Sequence, residues 1–103
     1  MKLQLNINKS YPKKSLGQNF IQNNDFILKL SALIRSDNDT NIFEIGPGLG
    51  ALTDQLIKKQ FKSLYLIEKD FLLFQKLNDR FKNDKNIFIF NSDAIDYDYE
   101  AIN

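Results

Sequence analysis

The sequence predicts an α/β fold built on a parallel sheet. Three observations carry that class. Short β-favouring runs alternate with amphipathic runs in the order helix, strand, helix, strand, helix, strand. The strand runs are almost continuously apolar, as suits strands covered on both faces. Three of the four glycines fall within five positions, directly after the first strand run, where an open α/β sheet turns from strand to helix.

The elements follow in order. Residues 1–23 read as an irregular, basic N-terminal arm, punctuated by Pro12 and Gly17 and rich in Asn and Gln. Residues 24–103 read as a partial α/β domain. Phe26, Ile27, Leu30, Leu33 and Ile34 recur at helical spacing, with Asn24 or Asp25 available as a cap. Ser36-Asp37-Asn38-Asp39-Thr40-Asn41 is a loop, and Ile42-Phe43-Glu44-Ile45 is the first strand run. A helix is predicted over about 51–59, burying Leu52, Leu56 and Ile57. Leu64-Tyr65-Leu66-Ile67 is the second strand run. Asp70 suits the cap of a third helix carrying Phe71, Phe74, Leu77 and Phe81 at spacings of three and four. After the turn Asn83-Asp84-Lys85-Asn86 comes the third strand run, Ile87-Phe88-Ile89-Phe90. The tail from Ile95 has no clear period. Open α/β sheets usually hold about five or six strands, so three predicted strands read as the front part of a larger domain.

Composition narrows the chemistry. The chain has 103 residues, 43% of them apolar, which suits one globular domain. No apolar run approaches the roughly 20 residues of a membrane helix. The N-terminus alternates polar and apolar residues and lacks the apolar region and cleavage site of a signal peptide; the expected location is cytoplasmic. With no Cys and no His, disulfides, thiolate nucleophiles, zinc–thiolate sites, His triads and His-ligated metals are excluded. Carboxylates, amides, backbone groups or a cofactor remain. The net charge of +1 hides an asymmetry: Lys2, Lys9, Lys13 and Lys14 precede the first acid, Asp25, whereas Asp93, Asp96, Asp98 and Glu100 crowd the end. A basic arm can meet a phosphate backbone; on charge alone a solvated terminus is the better account.

The stretch Phe43-Glu44-Ile45-Gly46-Pro47-Gly48-Leu49-Gly50 is the richest in the chain. A strand ending in glycines ahead of a helix presents backbone N–H groups and a positive helix end over one crevice. A nucleoside triphosphate loop needs Gly-Lys-Ser/Thr at its end, but Gly50 is followed by Ala51 and Leu52. A dinucleotide loop needs G-x-G-x-x-G, and Gly46-x-Gly48-x-Gly50 is one residue short. Glu44 would also sit awkwardly beside a pyrophosphate. S-adenosyl-L-methionine suits E-x-G-x-G-x-G better: it has no phosphate and carries a cationic amino group and a sulfonium. Glu68 lies 22 residues beyond Gly46 at the end of the second strand run, where a carboxylate can accept both ribose hydroxyls; Asp70 is the near alternative, with a helix cap as its simpler role. Asp93, just past the third strand run, suits an adenine amino group. Each feature alone reads as a turn, a cap or a loop acid. Together, at the ends of three successive strands, they rank a methyl-donor site above a dinucleotide site and above no ligand.

Lys14-Ser15-Leu16-Gly17-Gln18-Asn19-Phe20, Glu44-Ile45-Gly46-Pro47-Gly48-Leu49-Gly50-Ala51-Leu52-Thr53, Ile67-Glu68-Lys69-Asp70 and Asp93-Ala94 stand in order along the chain. With these motifs the sequence resembles the N-terminal portion of the ribosomal RNA adenine N6,N6-dimethyltransferases. The resemblance implies the N-terminal part of a Rossmann-like S-adenosylmethionine-dependent methyltransferase fold. It implies that Asn19 and Ile21 cover the donor, that Gly46 sits by its methionine part, and that Glu68 holds the ribose and Asp93 the adenine amino group. The implied substrate is a pair of adjacent adenosines in small-subunit ribosomal RNA, methylated at N6, and it lends the basic arm weight as an RNA contact. No metal and no membrane are implied. The family's Asn-x-Pro-aromatic motif, which holds the target base, is absent from these 103 residues, so no catalytic residue is assigned. A C-terminal piece of the same enzyme is an expected partner. Two other readings stand beside this one: a large-subunit RNA methyltransferase of the antibiotic-resistance type, and a non-catalytic remnant acting through its basic arm.

Overall fold

The computed structural model describes residues 24–93 and the backbone of residues 2–6. Along the chain lie β1 (Lys2–Asn6), α1 (Asn24–Leu33), β2 (Asn41–Ile45), α2 (Ala51–Leu56), β3 (Ser63–Glu68), α3 (Phe71–Phe81) and β4 (Ile87–Asn91). The strands form one sheet in the order β1-β2-β3-β4, every pair parallel. The three strands expected from the sequence are β2, β3 and β4. β1 is a fourth, inside the stretch read as irregular. Its sequence, Lys2-Leu3-Gln4-Leu5-Asn6, has the two-residue alternation of a strand, and it pairs along β2 from Lys2↔Asn41 to Asn6↔Ile45.

Alternating residues of the strands serve two faces. On one face Ile42, Leu64 and Leu66 are fully buried, and they form a single cluster with Ile27, Ile34, Leu52, Leu56, Leu77 and Phe81 from the helical layer. Burying each such side chain contributes about 1.5–3 kcal/mol. The other face carries rings in register: Phe43 and Tyr65 are partners across β2 and β3, as are Tyr65 and Phe88 across β3 and β4. Their rings stack at centroid distances of 4.8 and 5.3 Å.

Three apolar side chains expected in the core lie outside it. Leu33 is 79% exposed because Ile27, Leu30, Ser31 and Ile34 fill the inward stripe of α1 and Leu33 falls off it. Ile57 is 38% exposed. It follows the last residue of α2, where Lys58 N–H turns back to Gln55 O and Lys59 N–H to Leu56 O, three-residue closures that end the helix early. Phe71 is 57% exposed at the start of α3, six residues before the buried stripe of Leu77 and Phe81 begins. Before β2, Asp37 Oδ1 accepts the Asp39 N–H at 2.9 Å and the Thr40 hydroxyl at 3.0 Å. These bonds hold its carboxyl below the usual range and close the turn that feeds the sheet. Among the described residues, no helix is long and apolar enough to cross a membrane.

Candidate functional site

The parallel sheet points the carboxyl ends of β2, β3 and β4 the same way, and the candidate residues follow these ends. Pairing of Ile45 with Ile67 and of Glu68 with Asn91 sets Gly46 level with Glu68 and places Asp93 just beyond. The structure thus brings Gly46 and Glu68 into one row, with exposed Asp93 at its edge. Asn19 and Ile21, and the lysines of the arm from Lys9 onward, lie outside the described residues.

The loop after β2 needs its glycines. Gly46, Gly48 and Gly50 have φ of 70°, 60° and 94°, the left-handed region that a β-carbon disfavours by about 1–2 kcal/mol. The chain is pinned as it turns. Gly46 N–H donates to Ile67 O at 2.9 Å, Gly50 N–H to Pro47 O at 2.9 Å, and Asp54 N–H to Gly50 O at 2.9 Å, which starts α2. A β-carbon on Gly48 would meet nothing within 4 Å, so the loop faces open space there.

Glu68 is 5% exposed and already oriented. Its Oε1 accepts the Gly48 N–H at 3.1 Å and its Oε2 accepts the Asp70 N–H at 2.9 Å. Each carboxylate oxygen offers about two acceptor positions. One backbone bond apiece leaves acceptor capacity on each oxygen, which is what a vicinal diol requires. Asp70 takes the simpler of its two roles: its Oδ1 accepts the Leu73 N–H at 3.0 Å and caps α3.

Glu44 is 4% exposed and accepts the Thr53 hydroxyl at 2.6 Å. Burial pushes its carboxyl up to about 7; the Thr53 bond opposes the shift and the neighbouring Glu68 charge adds to it. Burial thus favours the neutral acid at Glu44, whereas a cation close to it would favour the anion.

Two supporting residues escape sequence reasoning. Asn91 Nδ2 donates to Glu68 O at 3.0 Å and to Lys69 O at 3.1 Å; together with Ser92 N–H on Glu68 O at 3.2 Å it fixes the backbone that carries the carboxylate. Thr53, fully buried in α2, fixes Glu44. Asn91 stands in the sequence only as a polar residue at the end of an apolar run; Thr53 stands in the glycine motif, which names the residue and not its partner. Among the described residues no group of three or more His, Cys, Asp or Glu is placed to hold a metal ion. Among the described residues the site's assets are backbone donors, one oriented carboxylate and one buried acid, and its arginine, Arg80, is engaged by Leu49 and Asp54. That donor set fits a nucleoside bearing a cationic amino-acid part.

Comparison with known proteins gives the family and the fold. Residues 9–102 match the family model described as ribosomal RNA adenine dimethylase. The chain is 38% identical over 95 residues to ribosomal RNA small subunit methyltransferase A of Mycoplasmoides gallisepticum, covering 92% of this chain and 34% of the relative. It is 33% identical over 99 residues to the protein of that name from Prochlorococcus marinus, covering 96% and 36%. The chain thus spans about a third of the length of these curated relatives. Among solved structures, the fold is similar to the 23S rRNA methyltransferase ErmE, with TM-score 0.67 and 25% identity, covering 78% of this chain and 32% of that one. It is also similar to a dimethyladenosine transferase from Plasmodium falciparum, with TM-score 0.66 and 23% identity, covering 75% and 28%. The fold is that of the Rossmann-like methyltransferases, and the chain belongs to the ribosomal RNA adenine dimethylase family.

Proposed function

We propose that this chain forms the methyl-donor part of an enzyme that dimethylates N6 of two adjacent adenosines in small-subunit ribosomal RNA, with S-adenosyl-L-methionine as donor. The observation that carries the reading is the Glu68 carboxylate, held by one N–H on each oxygen beside the open glycine loop. Glu68 would accept the two ribose hydroxyls, Gly46 would lie against the methionine part, and Asp93 would take the adenine amino group. Asn19 and Ile21 would cover the bound molecule. When bound, the cofactor supplies a methyl group on a cationic sulfur. Glu44, anionic once a cation is near, would face the positive part of that ligand.

Adenine N6 is a weak nucleophile, since its lone pair is delocalised into the ring. It must be aligned with the methyl and hydrogen-bonded to remain nucleophilic, with the base drawn from its stack. The Asn-x-Pro-aromatic motif that does this in the family is not among these 103 residues, and a C-terminal piece of the enzyme would supply it. A basic arm from Lys9 to Lys14 would meet RNA phosphates, and a ribosomal RNA substrate would go with a cytoplasmic location. The two solved structures resemble the chain almost equally in fold. Leu16-Gly17 before Gln18 and Pro47 between the glycines favour the small-subunit substrate over the large-subunit one.

The test is a titration of the ¹⁵N-labelled chain with S-adenosylhomocysteine. The amides of Gly46, Gly48, Lys69 and Asp93 are expected to shift together. A spectrum unchanged at these positions up to millimolar ligand overturns the reading.

A further inference from the structure

The glycine loop has one more anchor, and it comes from α3. Arg80 Nη1 donates to the Leu49 carbonyl at 3.2 Å, and Nη2 is paired with Asp54 Oδ1 in the first turn of α2. The guanidinium also lies over the Phe81 ring, 4.7 Å from its centroid. The same Nη1 stands 2.7 Å from the place a β-carbon on Gly50 would occupy, with Leu77 Cδ2 and Thr53 Cβ each at 3.7 Å. Arg80 therefore fills the space that Gly50 leaves by having no side chain.

Stability alone is a poor account of this arrangement. The side chains of Arg80 and Asp54 are 41% and 43% exposed, and exposed ion pairs contribute little. What a guanidinium adds is geometry: its planar fork bridges two acceptors on different elements, which a single ammonium point does not do with the same fixed angles. The two acceptors here are a loop carbonyl and a helix acid. Fixing the Leu49 carbonyl fixes the plane of the Leu49–Gly50 peptide, and with it the exit of a loop whose three positive-φ glycines otherwise retain much conformational freedom. Gly48, two residues away, is the residue whose N–H sets the Glu68 carboxylate.

We propose that Arg80 is a positioning residue for the donor site: it holds the loop 46–50 open through the Leu49 carbonyl, while Asp54 neutralises it so that a cationic ligand meets no net positive charge there. The second half of this statement rests on the donor reading above; the first half does not.

Amide hydrogen exchange on the full 103-residue chain separates the two. In Arg80→Gln, exchange at Gly48 and Gly50 is expected to accelerate at least tenfold relative to Leu66 and Ile67 in β3. Arg80→Lys, which keeps the charge without the fork, is expected to recover only part of that protection. Asp54→Asn leaves the Leu49 contact in place and exposes the positive charge. It is expected to weaken binding of S-adenosylmethionine at least threefold more than binding of its uncharged-sulfur product, S-adenosylhomocysteine. Loop amides that exchange at wild-type rates in Arg80→Gln overturn the clamp, as does an acceleration shared equally with β3. Equal weakening of the two ligands in Asp54→Asn overturns the neutralising role of Asp54. If Arg80→Gln does not fold, Arg80→Lys against wild type gives the same comparison of loop with β3. A loop that loosens in Arg80→Gln while S-adenosylhomocysteine leaves the wild-type spectrum unchanged upholds the clamp and removes the donor reading.

Discussion

The N–H of Gly48 donates to Glu68 Oε1 at 3.1 Å, joining the middle of the loop after β2 to the last residue of β3. This bond makes the loop and the Glu68 carboxylate one unit, so each holds the other in place.

Glu68→Gln is expected to break that unit. One of its two terminal atoms becomes an NH₂ group that must face a backbone N–H, either that of Gly48 or that of Asp70. Loss of charged hydrogen bonds and a donor facing a donor cost about 1–3 kcal/mol. Affinity for S-adenosylhomocysteine, read from the amide titration, should fall by roughly tenfold or more. Unchanged affinity removes Glu68 from the ribose role.

The glycines of the loop are not equivalent. Gly48→Ala adds a methyl into open space at φ 60° and should cost only the backbone strain, about 1–2 kcal/mol. Gly50→Ala carries that strain at φ 94° and also drives a β-carbon to 2.7 Å from Arg80 Nη1. The arginine can move, but only by leaving the Leu49 carbonyl and Asp54. Urea unfolding should therefore rank Gly50→Ala below Gly48→Ala in midpoint; the reverse order contradicts the packing described at Gly50.

Glu44 makes stability depend on pH. Burial raises its folded-state pKa from 4.5 to about 7, so the native state binds the proton more tightly than the unfolded chain. Its contribution is fully present below pH 4.5, declines as pH rises, and is lost above about pH 7, a change of up to about 3 kcal/mol. Glu44→Gln keeps an oxygen for the Thr53 hydroxyl and cannot ionise. The wild type should lose stability relative to this variant between pH 4.5 and 7 in urea melts. Parallel curves for the two proteins would show that Glu44 does not titrate in that window.

The 103-residue chain should not methylate RNA by itself. The site proposed for it is one for the donor, and no Asn-x-Pro-aromatic segment to grip the target base is among these residues. A small-subunit RNA hairpin incubated with the chain and radiolabelled S-adenosylmethionine should gain no label. Incorporation above a protein-free control would place the target-base site within these residues.

Much of this was legible in the sequence because it rests on local rules. The strands β2, β3 and β4, the Asp70 cap and the three carboxyl-end positions follow from apolar runs, spacing and glycine. The glycine loop was readable since three glycines directly after a strand run mark a turn with positive φ. β1 was less so: its alternation is short, and what makes it a strand is the edge of β2, 35 residues and more away in sequence. The contacts of Asn91, Thr53 and Arg80 were illegible for the same reason. Each matters through a partner on another element, and nothing in a single sequence pairs position 80 with position 49. Leu33, Ile57 and Phe71 show the converse: apolar character names candidates for the core, and helix phase and helix length decide which of them enter it.

The sheet order repeats the chain order, each strand lying beside its predecessor. A ribosome can therefore lay the sheet down from one side, with no strand needing to be threaded between two already paired. The same order leaves Ile87-Phe88-Ile89-Phe90 as the growing margin. Among the described strands nothing pairs with its outer side, and it carries neither charge nor proline to deter another chain. Crowded copies of this protein should adhere along β4 first. Phe88→Lys, at a ring 41% exposed, should reduce light scattering in concentrated solution; undiminished scattering would place the adhesive edge elsewhere.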